Sequence, residues 1–120
     1  MMIRYALLAL ALTLGTSFYS HAMDVTGDYT IEGSTTDGGG VYTGTLEIVK
    51  KGEVLQLTWQ TGNGKFIGTG VLTKGVISAV WRQGEDIGVS SFIVEEGKLV
   101  GTWAYLKTDG KKFKEVATKK

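Results

Sequence analysis

From Asp24 onward, apolar and polar residues alternate in short runs, and helical spacing is hard to find. Tyr42, Leu46 and Ile48 alternate with Thr43, Thr45 and Glu47; Leu55, Leu57 and Trp59 alternate with Gln56 and Thr58. This two-residue period belongs to strands with one buried face. Leu99, Trp103 and Tyr105 share a face in the same way. Between the runs lie glycine-bearing turn candidates: TTDGGG at Thr35 to Gly40, Lys51-Gly52, Asn63-Gly64, Lys74-Gly75, QGED at Gln83 to Asp86, Glu96-Gly97 and Asp109-Gly110. Asn-Gly and Asp-Gly are strong hairpin signals because both tolerate the positive φ of a type I′ turn. These seven turns delimit eight strands, expected over 24–32, 41–50, 53–61, 65–73, 76–82, 87–95, 98–107 and 111–118.

Every connection is short, so consecutive strands should pair antiparallel. A flat meander of eight strands would leave two open edges and an uncovered apolar face, whereas closure removes the edges and creates an interior. The predicted fold is therefore all-β, an eight-stranded antiparallel up-and-down barrel, with a β-sandwich of two four-stranded sheets as the alternative. Gly27, Gly44, Gly68, Gly70, Gly88 and Gly101 fall inside the strands. There they suit the bends and crowded inner positions of a small barrel.

The segment before this pattern has a different character. Arg4, the apolar run YALLALALTLG from Tyr5 to Gly15 and the small-residue ending SHA at Ser20 to Ala22 read as a signal peptide over 1–22. The run is shorter than the roughly 20 apolar residues that a spanning helix needs. Cleavage after Ala22 removes 22 of the 120 residues and leaves 98, enough for a single barrel domain over 23–120. The expected product is exported, either periplasmic or secreted, and not stably inserted in a membrane. The chain has no cysteine, which excludes disulfides, a thiolate metal site, a cysteine nucleophile and a lipid-bearing cysteine.

Without Arg4, the mature chain has 12 basic and 12 acidic residues, so nothing suggests a nucleic-acid partner. Lysines nevertheless crowd the C-terminal stretch, where Lys107, Lys111, Lys112, Lys114, Lys119 and Lys120 face only Asp109 and Glu115. A last strand whose exposed edge is protected by lysine accounts for this pattern. An anionic partner at Lys111, Lys112 and Lys114 is the functional reading.

GNGKFIGTG, Gly62 to Gly70, has Gly-x-Gly-x-x-x-Gly spacing and is followed by a strand, not by the helix that a phosphate loop requires. It reads as a hairpin. The only histidine, His21, lies in the signal segment, which leaves no imidazole for nucleophilic or acid–base chemistry. Asp28, Glu32, Glu47 and Glu115 are acids on strands, while most others sit beside turns and read as solvated surface. No acidic stretch reproduces a twelve-residue calcium loop. We therefore expect no catalytic residue, metal or cofactor. Glu115 stands apart because it shares a strand face with Phe113; inside a lumen it would need a partner such as Arg82 or a tyrosine hydroxyl.

Trp59, Trp81 and Trp103 recur at intervals of 22 residues, two strands with their turns, which puts them on the third, fifth and seventh strands, running in one direction. Core filling is the first reading of such rings, since an eight-stranded barrel is just wide enough to be packed or to hold one small ligand. A pocket formed by Tyr42, Trp59, Trp81, Trp103 and Tyr105 is the functional reading.

The meander, the opening VTGDYTIEGS and the recurrent tryptophans resemble avidin-like and lipocalin-like barrels, small periplasmic protease inhibitors among them. The serine, asparagine and tyrosine positions of biotin recognition are not matched, so that activity is not implied. GDYTIEGS, YTGTLEIVKKGEVLQLTWQTGNGKFIGTGVL and GKLVGTWA are similar to a group of small exported bacterial proteins of largely unknown role, some labelled fibronectin-binding by similarity. Their terminal G-x-E pattern is degraded here to KFKEVATKK, with Glu115 as the remaining acid. Taken with the absence of catalytic candidates, the expected protein is a monomeric or weakly associating, non-enzymatic binding protein for a small apolar ligand or for a protein partner, which the resemblance implies to be fibronectin-like. The alternative is a protease inhibitor acting through a free N-terminal segment, Met23 to Thr26.

Overall fold

A computed structural model describes residues 24–37 and 39–120. The expected signal peptide, Met23 and Gly38 lie outside the described residues. Eight strands follow in order: β1 (Gly27–Ser34), β2 (Val41–Lys51), β3 (Val54–Thr61), β4 (Gly64–Thr73), β5 (Val76–Gln83), β6 (Asp86–Glu95), β7 (Lys98–Tyr105) and β8 (Phe113–Lys119). Each pairs antiparallel with the next, and β8 returns to β1 through the register Tyr29↔Lys119 to Gly33↔Glu115. The sheet is a closed barrel, not a sandwich.

Closure changes the meaning of the C-terminal lysines. Because β8 is paired on both sides, it has no open edge for them to protect. Leu106 and Lys107, expected as the end of the seventh strand, fall instead in a single 3-10 turn, Leu106–Thr108, in which the Thr108 hydroxyl donates to the Tyr105 carbonyl at 2.7 Å. Asp109 and Gly110 both take positive φ, 55° and 78°, as the Asp-Gly signal predicts. The other strong signal is displaced by one residue. Thr61 pairs with Gly64, so the corner is Gly62-Asn63, and Gly64 enters β4 at φ 117°, a value that only glycine adopts easily.

The N-terminal segment is not free. Val25 is buried in the core, the Tyr29 hydroxyl donates to its carbonyl at 2.8 Å, and Thr26 is tied to the Asp24 carboxylate. Asp24 to Thr26 therefore lacks the disorder that an inhibitory plug would need.

Inward positions alternate along every strand, but their chemistry changes along the barrel axis. Leu46, Ile48, Leu57, Ile77, Phe92 and Leu99 are fully buried and fill the half nearest the start of β1, the end of β8 and the β2–β3, β4–β5 and β6–β7 turns. Midway, glycines give the larger rings room. A methyl group at Gly33 would overlap the Tyr42 ring, one at Gly88 the Trp81 ring and one at Gly101 the Phe92 ring. In a lumen this narrow, each big side chain lies over a neighbouring strand that carries no side chain at that level.

Candidate functional site

Odd-numbered strands run toward the end that carries the β1–β2, β3–β4, β5–β6 and β7–β8 connections, and even-numbered strands run away from it. The odd strands put an inward aromatic residue late, Trp59 in β3, Trp81 in β5, and Trp103 and Tyr105 in β7. Three even strands put one early: Tyr42 in β2, Phe66 in β4 and Phe113 in β8. All of these rings consequently gather in one half of the lumen. Trp103 is central to them, with ring centroids 5.1 Å from Phe113, 6.2 Å from Tyr42, 6.2 Å from Tyr105 and 6.3 Å from Trp81. Trp81 also meets Phe66 edge-on at 5.4 Å.

The rings do not fill their half. They enclose a cavity of about 340 Å³ that extends up to Thr35, Asn63, Gln83 and Asp86 at the strand connections. This lies at the small end of the roughly 300–1,000 Å³ range of small-molecule sites. Tyr42, Trp59, Trp81, Trp103 and Tyr105 all line it. Core filling thus describes one half of the lumen, and a hollow describes the other.

Glu115 lines the same cavity and is only 5% exposed. Its strand neighbours are Gly33 on β1 and Gly101 on β7, so neither flank covers it with a side chain. Tyr42, paired with Gly33, reaches across that glycine and donates its hydroxyl to Oε1 at 2.5 Å. From the other side Trp59 donates its indole N–H to Oε2 at 3.0 Å. Burial pushes the Glu115 carboxyl above the usual range, and the two hydrogen bonds oppose that shift. Burial and the adjoining carboxylate hold the Tyr42 hydroxyl well above the ordinary phenol range. The partner is thus a tyrosine hydroxyl, one of the two expected kinds. Arg82 is not involved, because it lies at an exposed position opposite Ile67 and Ile87 on the outer wall.

The Trp103 indole N–H is buried without a hydrogen-bond partner; it lies near enough to the Tyr42 hydroxyl to influence it, but outside bonding geometry. At the rim, Gln83 donates its amide to the Asn63 carbonyl at 2.6 Å, and Lys107 pairs with Asp86 at 3.0 Å. Lys111 and Lys112 are exposed in the β7–β8 connection at this same end, and Lys114 is exposed on the outer face of β8. The three lysines therefore do not enter the cavity. Phe66 and Ser90 line it without having been singled out in the sequence, and Asn63 and Gln83, expected only as turn residues, line it too. Phe66 was findable, because it shares its face of β4 with the buried Gly68 and Gly70 and pairs with Trp59.

Fold and site together define a closed eight-stranded antiparallel barrel with one packed and one hollow half. Such a barrel is similar to the crystal structure of apo lipid binding protein 8 from Caenorhabditis elegans, with a TM-score of 0.53 and 12% identity over 79% of this chain and 94% of that one. At that identity the likeness concerns the fold. No family pattern matches the chain, and no curated protein does.

Proposed function

We propose that this protein binds a small, largely apolar molecule in the hollow half of its barrel and performs no chemistry on it. The observation that carries this reading is the cavity itself, walled by Tyr42, Trp59, Trp81, Trp103 and Tyr105, with the buried Glu115 and Ser90 among its polar groups. Aromatic walls combined with convergent polar groups are a usual feature of a small-molecule site. The fold's likeness to a lipid-binding barrel is consistent with it. Both Glu115 oxygens already accept hydrogen bonds, which suits a fixed recognition group better than a proton carrier. The signal-like sequence over 1–22 supports an exported setting, periplasmic or secreted, and the proposed acting form is a monomer.

A second reading is favoured by the exposed Lys111, Lys112 and Lys114 and by Leu106, 95% exposed beside them. That end of the barrel would then dock an acidic protein partner, the fibronectin-binding group resemblance being one case. Indole fluorescence during titration with a metabolite panel distinguishes the two, together with native mass spectrometry of protein purified from its own cells. Small-ligand binding predicts a saturable spectral shift lost in Trp81→Ala and a retained small-molecule mass. Absence of both, with salt-sensitive capture of an acidic protein, would favour the second reading.

A further inference from the structure

Glu115 presents an electrostatic problem that its own hydrogen bonds do not solve. Tyr42 and Trp59 give both oxygens a donor, an arrangement set for the ionised carboxylate, but two neutral donors do not cancel a charge. A carboxylate buried without a cation is costly. Among the described residues the ion pairs are Lys98 with Glu95, away from the cavity, and Lys107 with Asp86 at its rim; neither reaches Glu115. Of the 14 described residues lining the cavity, none is lysine, arginine or histidine; of its two acids, Asp86 has Lys107 as a partner and Glu115 has no cation. The rings around Glu115 add to the same bias, because each aromatic face carries partial negative charge.

Building on the reading of the cavity as a small-molecule site, we propose that its ligand is a small organic cation, an ammonium whose charge pairs with Glu115 and lies against the faces of the surrounding rings. Desolvation strengthens both attractions, since an ammonium over an aromatic face gains most where water is excluded. A fatty acid or other anionic head would meet the unpaired Glu115 and no base among the described lining residues. The cavity volume of about 340 Å³ suits a compact amine and not a long acyl chain.

Three probes of nearly equal size separate the charges: 2-phenylethylammonium, 2-phenylethanol and 3-phenylpropanoate, titrated into the full mature chain at neutral pH with calorimetric detection. The ammonium should bind tighter than the alcohol by roughly tenfold or more. Glu115→Gln should erase that preference, bringing the ammonium and the alcohol to within about twofold of each other in the same variant. Equal or tighter binding of the alcohol or the propanoate overturns the cation assignment and leaves the cavity reading standing. So does a preference that survives in Glu115→Gln. Binding of none of the three overturns the cavity reading and this proposal together. Should Glu115→Gln fail to fold, the wild-type ratio of ammonium to alcohol decides by itself.

Discussion

At the closed end of the barrel the inward residues are mainly aliphatic, Leu46, Ile48, Leu57, Ile77 and Leu99, and they leave almost no surface exposed. At the open end the same eight strands turn Tyr42, Trp59, Trp81, Trp103 and Tyr105 inward, larger side chains that nonetheless enclose a hollow. The contrast is one of shape. Branched aliphatic groups interdigitate to the density of an organic crystal, whereas flat rings standing edge-to-face or stacked at 5–6 Å separations hold one another apart. Stability should therefore reside at one end and recognition at the other, connected by a middle level where glycines leave room for both.

The largest effect that tests this division is at the closed end. Phe92→Ala removes a ring that is 1% exposed, and it should lower unfolding free energy by about 3–5 kcal/mol in urea titration. A loss under about 1 kcal/mol would mean that this half is not the stabilising core. Gly88→Ala acts at the middle level, where the new methyl group would overlap the Trp81 ring. We expect a cost of about 1–3 kcal/mol and a cavity wall displaced enough to abolish any fluorescence response to ligand. Retention of both would show that the ring has room that the geometry denies it.

Titration of Glu115 gives a smaller and directional effect. Its folded-state affinity for protons is raised by burial, so the folded protein holds more protons than the unfolded chain above the ordinary glutamate value of 4.5. Stability should consequently be fully present below that value and fall as pH rises through the raised folded-state range. Glu115→Gln should flatten that part of the pH profile, and an unchanged slope in the variant would assign the dependence to other groups. The smallest effect is at the rim. Reversing Lys111, Lys112 and Lys114 to glutamate should alter stability by no more than about 0.5 kcal/mol each and leave small-ligand binding intact, as calorimetry would show. Loss of ligand binding on such reversal would move recognition from the lumen to the surface.

The strand order and closure were legible because short glycine-bearing turns forbid crossovers and because eight amphipathic strands have few other ways to hide their edges. The 22-residue tryptophan interval correctly put all three indoles on strands of one direction, and the structure gathers them at one end. The Asn63-Gly64 corner was misplaced by one residue, since turn propensity alone does not determine which pair of a Gly-Asn-Gly run turns once Trp59 must face Phe66. A tyrosine hydroxyl was among the expected partners of Glu115, but which residues reach it was not legible, for a different reason. Tyr42 and Trp59 lie 73 and 56 residues away in sequence, and their meeting at one carboxylate depends on the stagger of the closed barrel. Nor does composition separate a packed half from a hollow one, because the same rings produce either according to how they lean over Gly33 and Gly88.

The three indole N–H groups provide the most direct test, as each gives a separate proton–nitrogen correlation in a spectrum of the labelled mature chain. Titration with 2-phenylethylammonium should shift the Trp59, Trp81 and Trp103 indole signals together and saturably, while amides of Ile48, Leu57 and Leu99 at the packed end stay fixed. Shifts confined to the lysine rim or the outer wall, with all three indoles unmoved, would contradict the account.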